Sequence, residues 1–501
     1  MLTSLSLSSK ITAVLFAGRP FPMPQNRTKY KFEYLPPQDG TELFMKNFIT
    51  ALKNKWQAST LRYVYNAKDD RGRGRLCMLI SGIMAGIIGQ LSTGFFYTGF
   101  LLGHGIDVVD IAIITFIPYI TCFLNIFSPW ILEHFKRRKL ILAAGKLLYY
   151  VFNIVGITLL PSLVEDPQAR LAGFIAIVVV SNSINALISS GYSTWQANFL
   201  PDNVRMDYFT SSGCINSLLS YIIVLAVSII TDRLQDSPEQ LVMITALRWL
   251  AFGFAIIDCL IQLVPKEYPY LKKAKTKLSN IFVLPFRHKR FLITILICAA
   301  YTFASNLPNA TLNAYVLEIL DGTGMQYTLP NAINALYFLF FILFSRMWKK
   351  FVAKHYWFRA FAFAMLMQSV TYYIQVFVTA DTIWLYVVVR LMQHVFGVVM
   401  NSIVASLPYV NLPDEDRTNY MSFNAIISNM AAFLSMMLGT VFTSYMDGGA
   451  RIVTVLGYPL TSTQILVFAC AVAQCVVGAI IILVAKKVTP PEVMAQRPSE
   501  A

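Results

Sequence analysis

One apolar stretch carries a group of polar side chains that could bind a charged solute. Arg390 lies in the middle of the stretch 382–406, and Gln393 and His394 follow three and four residues later, on the same face of a helix. A guanidinium attracts a carboxylate or a phosphate, so Arg390 is predicted to bind an acidic group, on a substrate or elsewhere in the protein. His394 is the candidate carrier of a coupling proton, because imidazole titrates near neutral pH. The alternative is a hydrogen-bonded contact between helices.

Three further apolar stretches carry polar side chains at helical spacing. Inside a membrane such side chains either hold helices together or line a polar cavity, and for a single asparagine both interpretations stay open. The residues are Gln90, Thr93 and Tyr97 in 77–103, Asn182 and Asn185 in 170–194, and Asn306, Asn309 and Asn313 in 291–317.

These side chains lie on apolar stretches that are long enough to cross a bilayer core of about 30 Å. The chain is 56% hydrophobic and 13% charged, about half the charged fraction of a soluble domain. We therefore predict an all-α polytopic membrane protein with twelve transmembrane helices, numbered spans 1 to 12. The predicted spans are 77–103, 107–132, 139–161, 170–194, 208–231, 240–264, 291–317, 327–346, 358–379, 382–406, 420–443 and 462–485.

The net charge of +15 is distributed unequally between the two sides of this topology. Of the 41 Lys and Arg residues, 35 lie on the side of both termini, whereas the opposite loops hold only Arg170, Arg233 and Arg451. Positive loops stay inside the cell, so we predict a multi-pass protein of the cell membrane with cytoplasmic termini. The basic residues then face anionic lipid, and no nucleic-acid partner is expected.

Two short phrases occur twice in the chain. Leu200-Pro201-Asp202-x-x-Arg205-x-x-Tyr208 returns 212 residues later, and Phe127-Ser128 returns after 217 residues as Phe344-Ser345. Repeats in one register indicate two related halves. The predicted domains are a cytoplasmic arm 1–75 with an amphipathic helix, six-helix bundles at 76–264 and 291–487, a linker 265–290 and a cytoplasmic tail 488–501.

The loop after span 2 reads Pro129-Trp-Ile-Leu-Glu133-His-Phe-Lys136-Arg137-Arg138. Together with the number of spans, the charge pattern and the repeat, this loop makes the chain resemble the major facilitator superfamily over about residues 76–487. The family pattern there is roughly Gly-x-Leu-Ala-Asp-Arg-x-Gly-Arg-Arg, and this chain keeps the acid and the paired arginines but neither glycine.

The resemblance implies two pseudo-symmetric six-helix bundles with spans 1, 4, 7 and 10 around a central cavity. The polar side chains of those four spans are then expected to bind substrate together. The expected function is secondary active transport of a small polar or anionic solute by alternating access, with proton coupling as the default. Alternatives are an efflux pump for amphipathic compounds and a membrane sensor or scaffold that transports nothing. A monomer is expected.

The resemblance also implies that span 2 packs beside span 11 and span 5 beside span 8. Acidic and basic residues would then meet at the cytoplasmic side and hold it closed. An alternative is that the basic residues contact lipid phosphates and water. One proposed set is Glu133, Lys136, Arg137 and Arg138 with Asp414, Asp416 and Arg417; the other is Arg346, Lys349 and Lys350 with Asp202, Arg205 and Asp207.

Other features argue against an enzyme. The sequence has no His-Glu-x-x-His, Walker or Gly-x-Ser-x-Gly motif. The seven cysteines all lie in spans without a Cys-x-x-Cys pair, so no metal, cofactor or disulfide is predicted. Lys146 and Asp258 are interpreted as a structural pair, and Arg248 is expected to extend from span 6 towards the membrane surface.

Overall fold

The computed structural model describes residues 64–489, apart from 129–134, 136, 201, 236, 269–277, 414–416, 448–452 and 456–457. The predicted amphipathic helix of the N-terminal arm and the C-terminal tail lie almost wholly outside the described residues. Most of the described chain is helical, as the apolar stretches predict.

The first half contains spans 1 to 6. Their helices are Asp70–Ser92 and Gly94–Gly103 (span 1), Val108–Thr121 with a 3-10 turn Cys122–Phe127 (span 2), Lys139–Tyr150, a π-helical turn Val151–Gly156 and Ile157–Leu163 (span 3), Pro167–Ala197 (span 4), Asp202–Asp232 (span 5) and Glu239–Gln262 (span 6).

The second half follows a connecting helix, Leu278–Arg287. Its helices are Lys289–Asn306 and Asn309–Ile319 (span 7), Thr328–His355 (span 8), Trp357–Gln375 (span 9), Ile383–Val410 after a 3-10 turn Ala380–Thr382 (span 10), Arg417–Asp447 (span 11) and Ser462–Val488 (span 12). Between spans 11 and 12, strands β1 (Val453–Val455) and β2 (Tyr458–Leu460) form an antiparallel hairpin.

Eleven helices of the described chain are long and apolar enough to cross a membrane. Span 9 is not among them, because Arg359, Gln368 and Gln375 lower its hydropathy. Span 1 begins and span 12 ends at one face of the helical assembly, which we call the terminal face; the other is the opposite face.

Several spans begin where a short polar side chain caps the helix. Asp107 accepts a hydrogen bond from the amide of Asp110 at 2.7 Å at the start of span 2, and Asp166 accepts one from Ala169 at 2.7 Å at the start of span 4. Thr461 and Gln464 form a capping box at the start of span 12. These side chains satisfy amides that have no partner within the helix.

Each half has its own apolar core. Leu91, Phe100 and Phe174 are fully buried in the first half, and Phe361 and Met400 are fully buried in the second. Span 2 packs against span 11 and span 5 against span 8, as expected. The two halves therefore meet along a seam formed by matched pairs of helices.

Spans 1 and 7 are both broken. Span 1 is interrupted where Gly94 has a φ of +63°, a conformation that favours glycine. Span 7 is interrupted before Pro308, which cannot continue the hydrogen-bond ladder of a helix. The second segments begin at Gly94 and Asn309, 215 residues apart. That separation lies between those of the two repeated phrases, so the breaks are equivalent features of the two halves.

Candidate functional site

A cavity of about 290 Å³ lies between the two halves. The first half contributes one residue each from spans 1 and 5, and the second half contributes residues from spans 7 to 10. The lining residues are Gln90, Tyr221, Tyr301, Asn334, Tyr337, Gln368, Tyr372, Arg390, Gln393, His394, Gly397, Met400 and Asn401.

Three spans of the second half hold Arg390 in place. Its Nη2 donates to Oδ1 of Asn334 on span 8 at 3.1 Å, and its Nη1 donates to Oε1 of Gln393 at 2.9 Å. The Nε2 of Gln393 then donates to Oε1 of Gln375 on span 9 at 2.7 Å. The amides orient the guanidinium but leave its charge uncompensated, because Arg390 makes no ion pair within the described chain.

His394 lies beside this network and is mostly buried. Its Nε2 is 2.8 Å from the carbonyl oxygen of Ile333 and therefore carries the hydrogen. The ring also contacts Tyr337 and Phe340 at centroid distances of 5.5 and 5.9 Å. A coupling proton would have to bind at Nδ1, where it would add a second positive charge near Arg390.

The cavity includes residues that the sequence analysis did not select. Asn334 and Tyr337 lie three residues apart on span 8, and Gln368 and Tyr372 lie four apart on span 9. Their spacing is the same kind of signal that selected span 10. The resemblance limits the expected cavity to spans 1, 4, 7 and 10, so it does not predict these residues of spans 8 and 9.

Several predicted binding residues are hydrogen-bonded to their own helix. Asn182 donates to the carbonyl oxygen of Val178 at 2.9 Å, and Asn306 donates to that of Thr302 at 2.7 Å. Each bond joins residues four apart, so it satisfies the amide without a second helix. Neither asparagine lines the cavity, and neither holds two helices together through this bond.

The remaining polar residues of spans 1, 4 and 7 also lie away from the cavity lining. Thr93, Asn185 and Asn309 are exposed, and Asn309 donates to Oδ1 of Asn306 at 3.3 Å. Asn313 is half-buried on span 7. Of the predicted binding residues, the structure therefore brings Gln90, Arg390, Gln393 and His394 together, and the binding role of the others stays a prediction.

Arg248 is expected from the sequence to extend towards the membrane surface. The structure shows that this prediction is wrong. Its side chain is 1% exposed inside the first half. Its Nε donates to Thr158 at 2.8 Å, and its Nη2 donates to the carbonyl oxygen of Asn153 at 2.9 Å. Asn153 lies in the π-helical turn of span 3, where the regular ladder leaves carbonyls free for other donors. The ring of Tyr97 packs under the guanidinium, with 5.4 Å between the ring centroid and Cζ of Arg248. This contact holds Tyr97 within the first half.

Lys146 and Asp258 form the ion pair that the sequence predicts. Their closest nitrogen–oxygen distance is 2.8 Å, and the Asp258 side chain is fully buried. The carboxylate also accepts hydrogen bonds from Ser81 and from Tyr150, the latter at 2.7 Å. These partners all belong to the first half, so the pair links spans 1, 3 and 6.

The seam between the halves is closed at the opposite face. Asp232, at the end of span 5, accepts hydrogen bonds from the amides of Tyr327 and Thr328 at 2.8 and 2.6 Å. One turn deeper, Asn331 donates to Ser228 at 3.0 Å. Phe96 stacks on Tyr327 with a centroid distance of 5.1 Å. These groups are buried, and their contacts join the halves.

The predicted ion pairs of the terminal face involve many residues outside the described chain. Glu133, Lys136, Asp414 and Asp416 are outside it, as are the side chains of Asp202, Arg205, Asp207 and Arg417. Arg346, Lys349 and Lys350 are exposed and pair with no described carboxylate. Arg137 is exposed too. This set of pairs stays a prediction.

A different acid lies at the start of span 3. Oε1 of Glu267 accepts hydrogen bonds from the amides of Arg138 and Lys139 at 2.6 and 3.0 Å. Glu267 follows span 6 in the predicted linker, so this contact does not join the two halves. It places Arg138 at a helix start whose free amides are satisfied by a carboxylate.

No family model and no curated protein matches the sequence. A mutant of the nucleoside transporter NupG matches the structure with a TM-score of 0.59 at 13% identity, over 82% of this chain and 99% of that one. A bacterial homologue of the human lysosomal transporter Spinster, inward-facing and unoccupied, matches with a TM-score of 0.58 at 12% identity, over 87% and 100%. A POT family transporter in complex with 5-aminolevulinic acid matches with a TM-score of 0.58 at 14% identity, over 84% of this chain and 97% of that one.

The chain has the major facilitator superfamily fold. Nearly the full length of each matched transporter is covered, so the likeness includes both halves. In this chain the cavity lies between the two halves, and Arg390 is one of its lining residues. The shared fold specifies an architecture, and the cargo depends on the side chains of the individual cavity.

Proposed function

We propose that this protein is a secondary active transporter that moves a small polar or anionic solute by alternating access. The observation that carries the proposal is the position of Arg390, a fixed positive charge in the cavity between the two halves. Its hydrogen-bond partners Asn334 and Gln393 are neutral, so the guanidinium remains available to an acidic group of the substrate.

The cavity wall supports a polar substrate with an apolar or aromatic portion. Amides from spans 1, 8, 9 and 10 can donate or accept hydrogen bonds. Tyr221, Tyr301, Tyr337 and Tyr372 add ring surface with a polar end. The same rings would suit an amphipathic efflux substrate, but the positive charge of Arg390 disfavours cationic compounds.

The proposed orientation places the terminal face in the cytoplasm. It follows from the predicted topology, which assigns 35 of the 41 Lys and Arg residues to the side of the termini. Proton coupling is proposed as the driving force, with His394 as the candidate carrier. Uptake into vesicles with an imposed pH gradient tests the coupling, and a His394→Gln variant that retains it would exclude this residue.

Ligand-dependent thermal stabilisation tests the site. Purified protein is screened against carboxylates, phosphate esters, neutral sugars and nucleosides, and amphipathic drugs. Bound ligand raises Tm, and 100-fold excess over Kd stabilises by about 2.7 kcal/mol. We expect acidic compounds to stabilise the parent protein and to lose this effect in Arg390→Gln. Arg359→Gln, which removes an exposed arginine of span 9, should retain it.

The other outcomes of the screen distinguish the alternatives. Stabilisation by anions that persists unchanged in Arg390→Gln would contradict the proposed site. Stabilisation by amphipathic drugs alone would favour efflux. A ligand that binds but does not enter liposomes containing the protein, with or without a gradient, would favour a sensor.

A further inference from the structure

Inside the spans of the described chain, one ion pair is compensated and two arginines have no counter-charge: Arg248 is enclosed within the first half, and Arg390 lies at the cavity. Only two of the predicted apolar stretches contain an acidic residue: 107–132 begins with Asp107 and Asp110, and 240–264 contains Asp258, which is paired with Lys146 at 2.8 Å. No carboxylate lines the cavity or reaches Arg390 within the described chain. The moving seam therefore carries one positive charge with no counter-charge of its own.

Alternating access makes this charge important for movement. Between its two open states, a transporter of this fold passes through a state in which both faces are closed. Closing the cavity removes water from around Arg390, and an unpaired ion loses much of its solvation free energy when water is removed. Asn334 and Gln393 offer dipoles to the guanidinium, but they do not cancel its charge.

A bound anion would remove this barrier. A carboxylate or phosphate group with one negative charge would pair with Arg390 and make the closed cavity neutral. A proton cannot replace it, because protonation of His394 would add a second positive charge beside the first. The loaded protein is therefore expected to change conformation faster than the empty protein.

We propose that the protein is an anion exchanger. It crosses readily between its open states when an anion neutralises Arg390 and slowly when the cavity is empty, so anion movement in one direction requires anion movement in the other. This inference rests on the proposed function: it keeps the anionic substrate at Arg390 and makes counter-transport of a second anion, in place of a proton on His394, the source of coupling, with a single negative charge on both the substrate and the counter-substrate.

Substitution of Asn334 by Asp tests the inference without a known substrate. Oδ1 of Asn334 already lies 3.1 Å from the guanidinium, so Asn334→Asp places a permanent counter-charge there. Asn334→Leu is the matched control, because it removes the same amide and adds no charge. Arg390→Gln is a second route to a neutral cavity, should the aspartate variant fail to fold.

The measured quantity is the switching rate of single, ligand-free molecules in liposomes. Dyes are attached to Glu165→Cys and Asp381→Cys, two exposed positions at the opposite face, one in each half. We expect Asn334→Asp or Arg390→Gln to switch at least tenfold faster than the parent protein, a change of about 1.4 kcal/mol in the barrier. Asn334→Leu should not switch faster than the parent.

Equal rates in Asn334→Asp, Arg390→Gln and Asn334→Leu would overturn the exchange proposal. That result would leave the proposed function intact if acidic ligands still stabilise the parent protein through Arg390. Conversely, fast switching in the neutral variants together with no Arg390-dependent ligand would support the charge barrier and contradict the substrate class.

Discussion

Charged side chains inside the spans differ in what surrounds them. Asp258 has Lys146, Ser81 and Tyr150 as partners. Arg248 is enclosed by carbonyls and by the ring of Tyr97. Arg390 has only neutral partners and lies at the cavity. The first two arrangements are suited to holding the first half together, whereas the third leaves charge available for binding.

The Lys146–Asp258 pair allows a prediction about stability. Asp258→Asn should destabilise the protein by about 3–5 kcal/mol, because the largely buried ammonium of Lys146 loses its counter-charge. Adding Lys146→Met should recover part of this loss by removing the unpaired charge. The measurement is the thermal unfolding of purified protein. A double variant less stable than Asp258→Asn would show that Lys146 contributes through contacts other than this pair.

Residue spacing predicted only part of the cavity. Arg390, Gln393 and His394 lie together as their spacing on one helix requires. Asn182 and Asn306 satisfied the same spacing rule but donate to carbonyls of their own helices. Spacing shows which residues share a face, but the rotation of each helix about its axis depends on packing against neighbours that the sequence does not reveal.

At the scale of elements, the end of span 5 and the start of span 8 form the closure at the opposite face. The start of a helix has free amides and a partial positive charge, and a carboxylate there is stabilising. Asp232 provides that carboxylate from the other half. Opening of this face must break both hydrogen bonds.

Loss of the Asp232 carboxylate should therefore favour opening. Asp232→Ala is expected to cost the closed form about 1.5–3 kcal/mol, the usual contribution of charged hydrogen bonds, and Asp232→Asn should cost less. Hydrogen–deuterium exchange at the amides of Tyr327 and Thr328 measures this directly. Asp381→Asn, which changes an exposed acid at the same face, is the control. Unchanged protection in Asp232→Ala would mean that other contacts close the seam.

The element pattern was easier to predict than the details within it. Apolar length located the spans, and the repeated phrases located the halves. The break in span 1 depends on the positive φ of Gly94, and a single glycine in an apolar stretch does not predict such a conformation. The π-helical turn of span 3 likewise accepts a hydrogen bond from Arg248, which comes from a helix much later in the chain.

At the scale of the whole molecule, the two faces use different chemistry. The opposite face is closed by buried groups, including Asp232, Asn331 and Tyr327. At the terminal face, Arg137, Arg346 and Lys349 are exposed. Exposed charges are screened by salt, whereas buried contacts are screened much less. A rise in salt concentration is therefore expected to weaken contacts at the terminal face more than contacts at the opposite face.

The predicted terminal-face pairs can be tested by charge reversal. Arg137→Asp or Asp414→Arg alone should reduce the population open at the opposite face, because each would place like charges together where the terminal face closes. The double reversal should restore that population towards the parent value. Dyes at Glu165→Cys and Asp381→Cys report it, and Arg359→Asp is the control. A double variant as impaired as either single variant would exclude this pairing.

The paired breaks have a consequence for how the molecule can move. Gly94–Gly103 and Asn309–Ile319 are segments of 10 and 11 residues, and each contacts the other across the seam. Each is about 15 Å long and is joined to the rest of its span by backbone that lacks a continuous helical ladder. We expect the two breaks to act as hinges, so that each short segment can bend relative to the rest of its span and the contact between the two segments can adjust without rotation of a whole half.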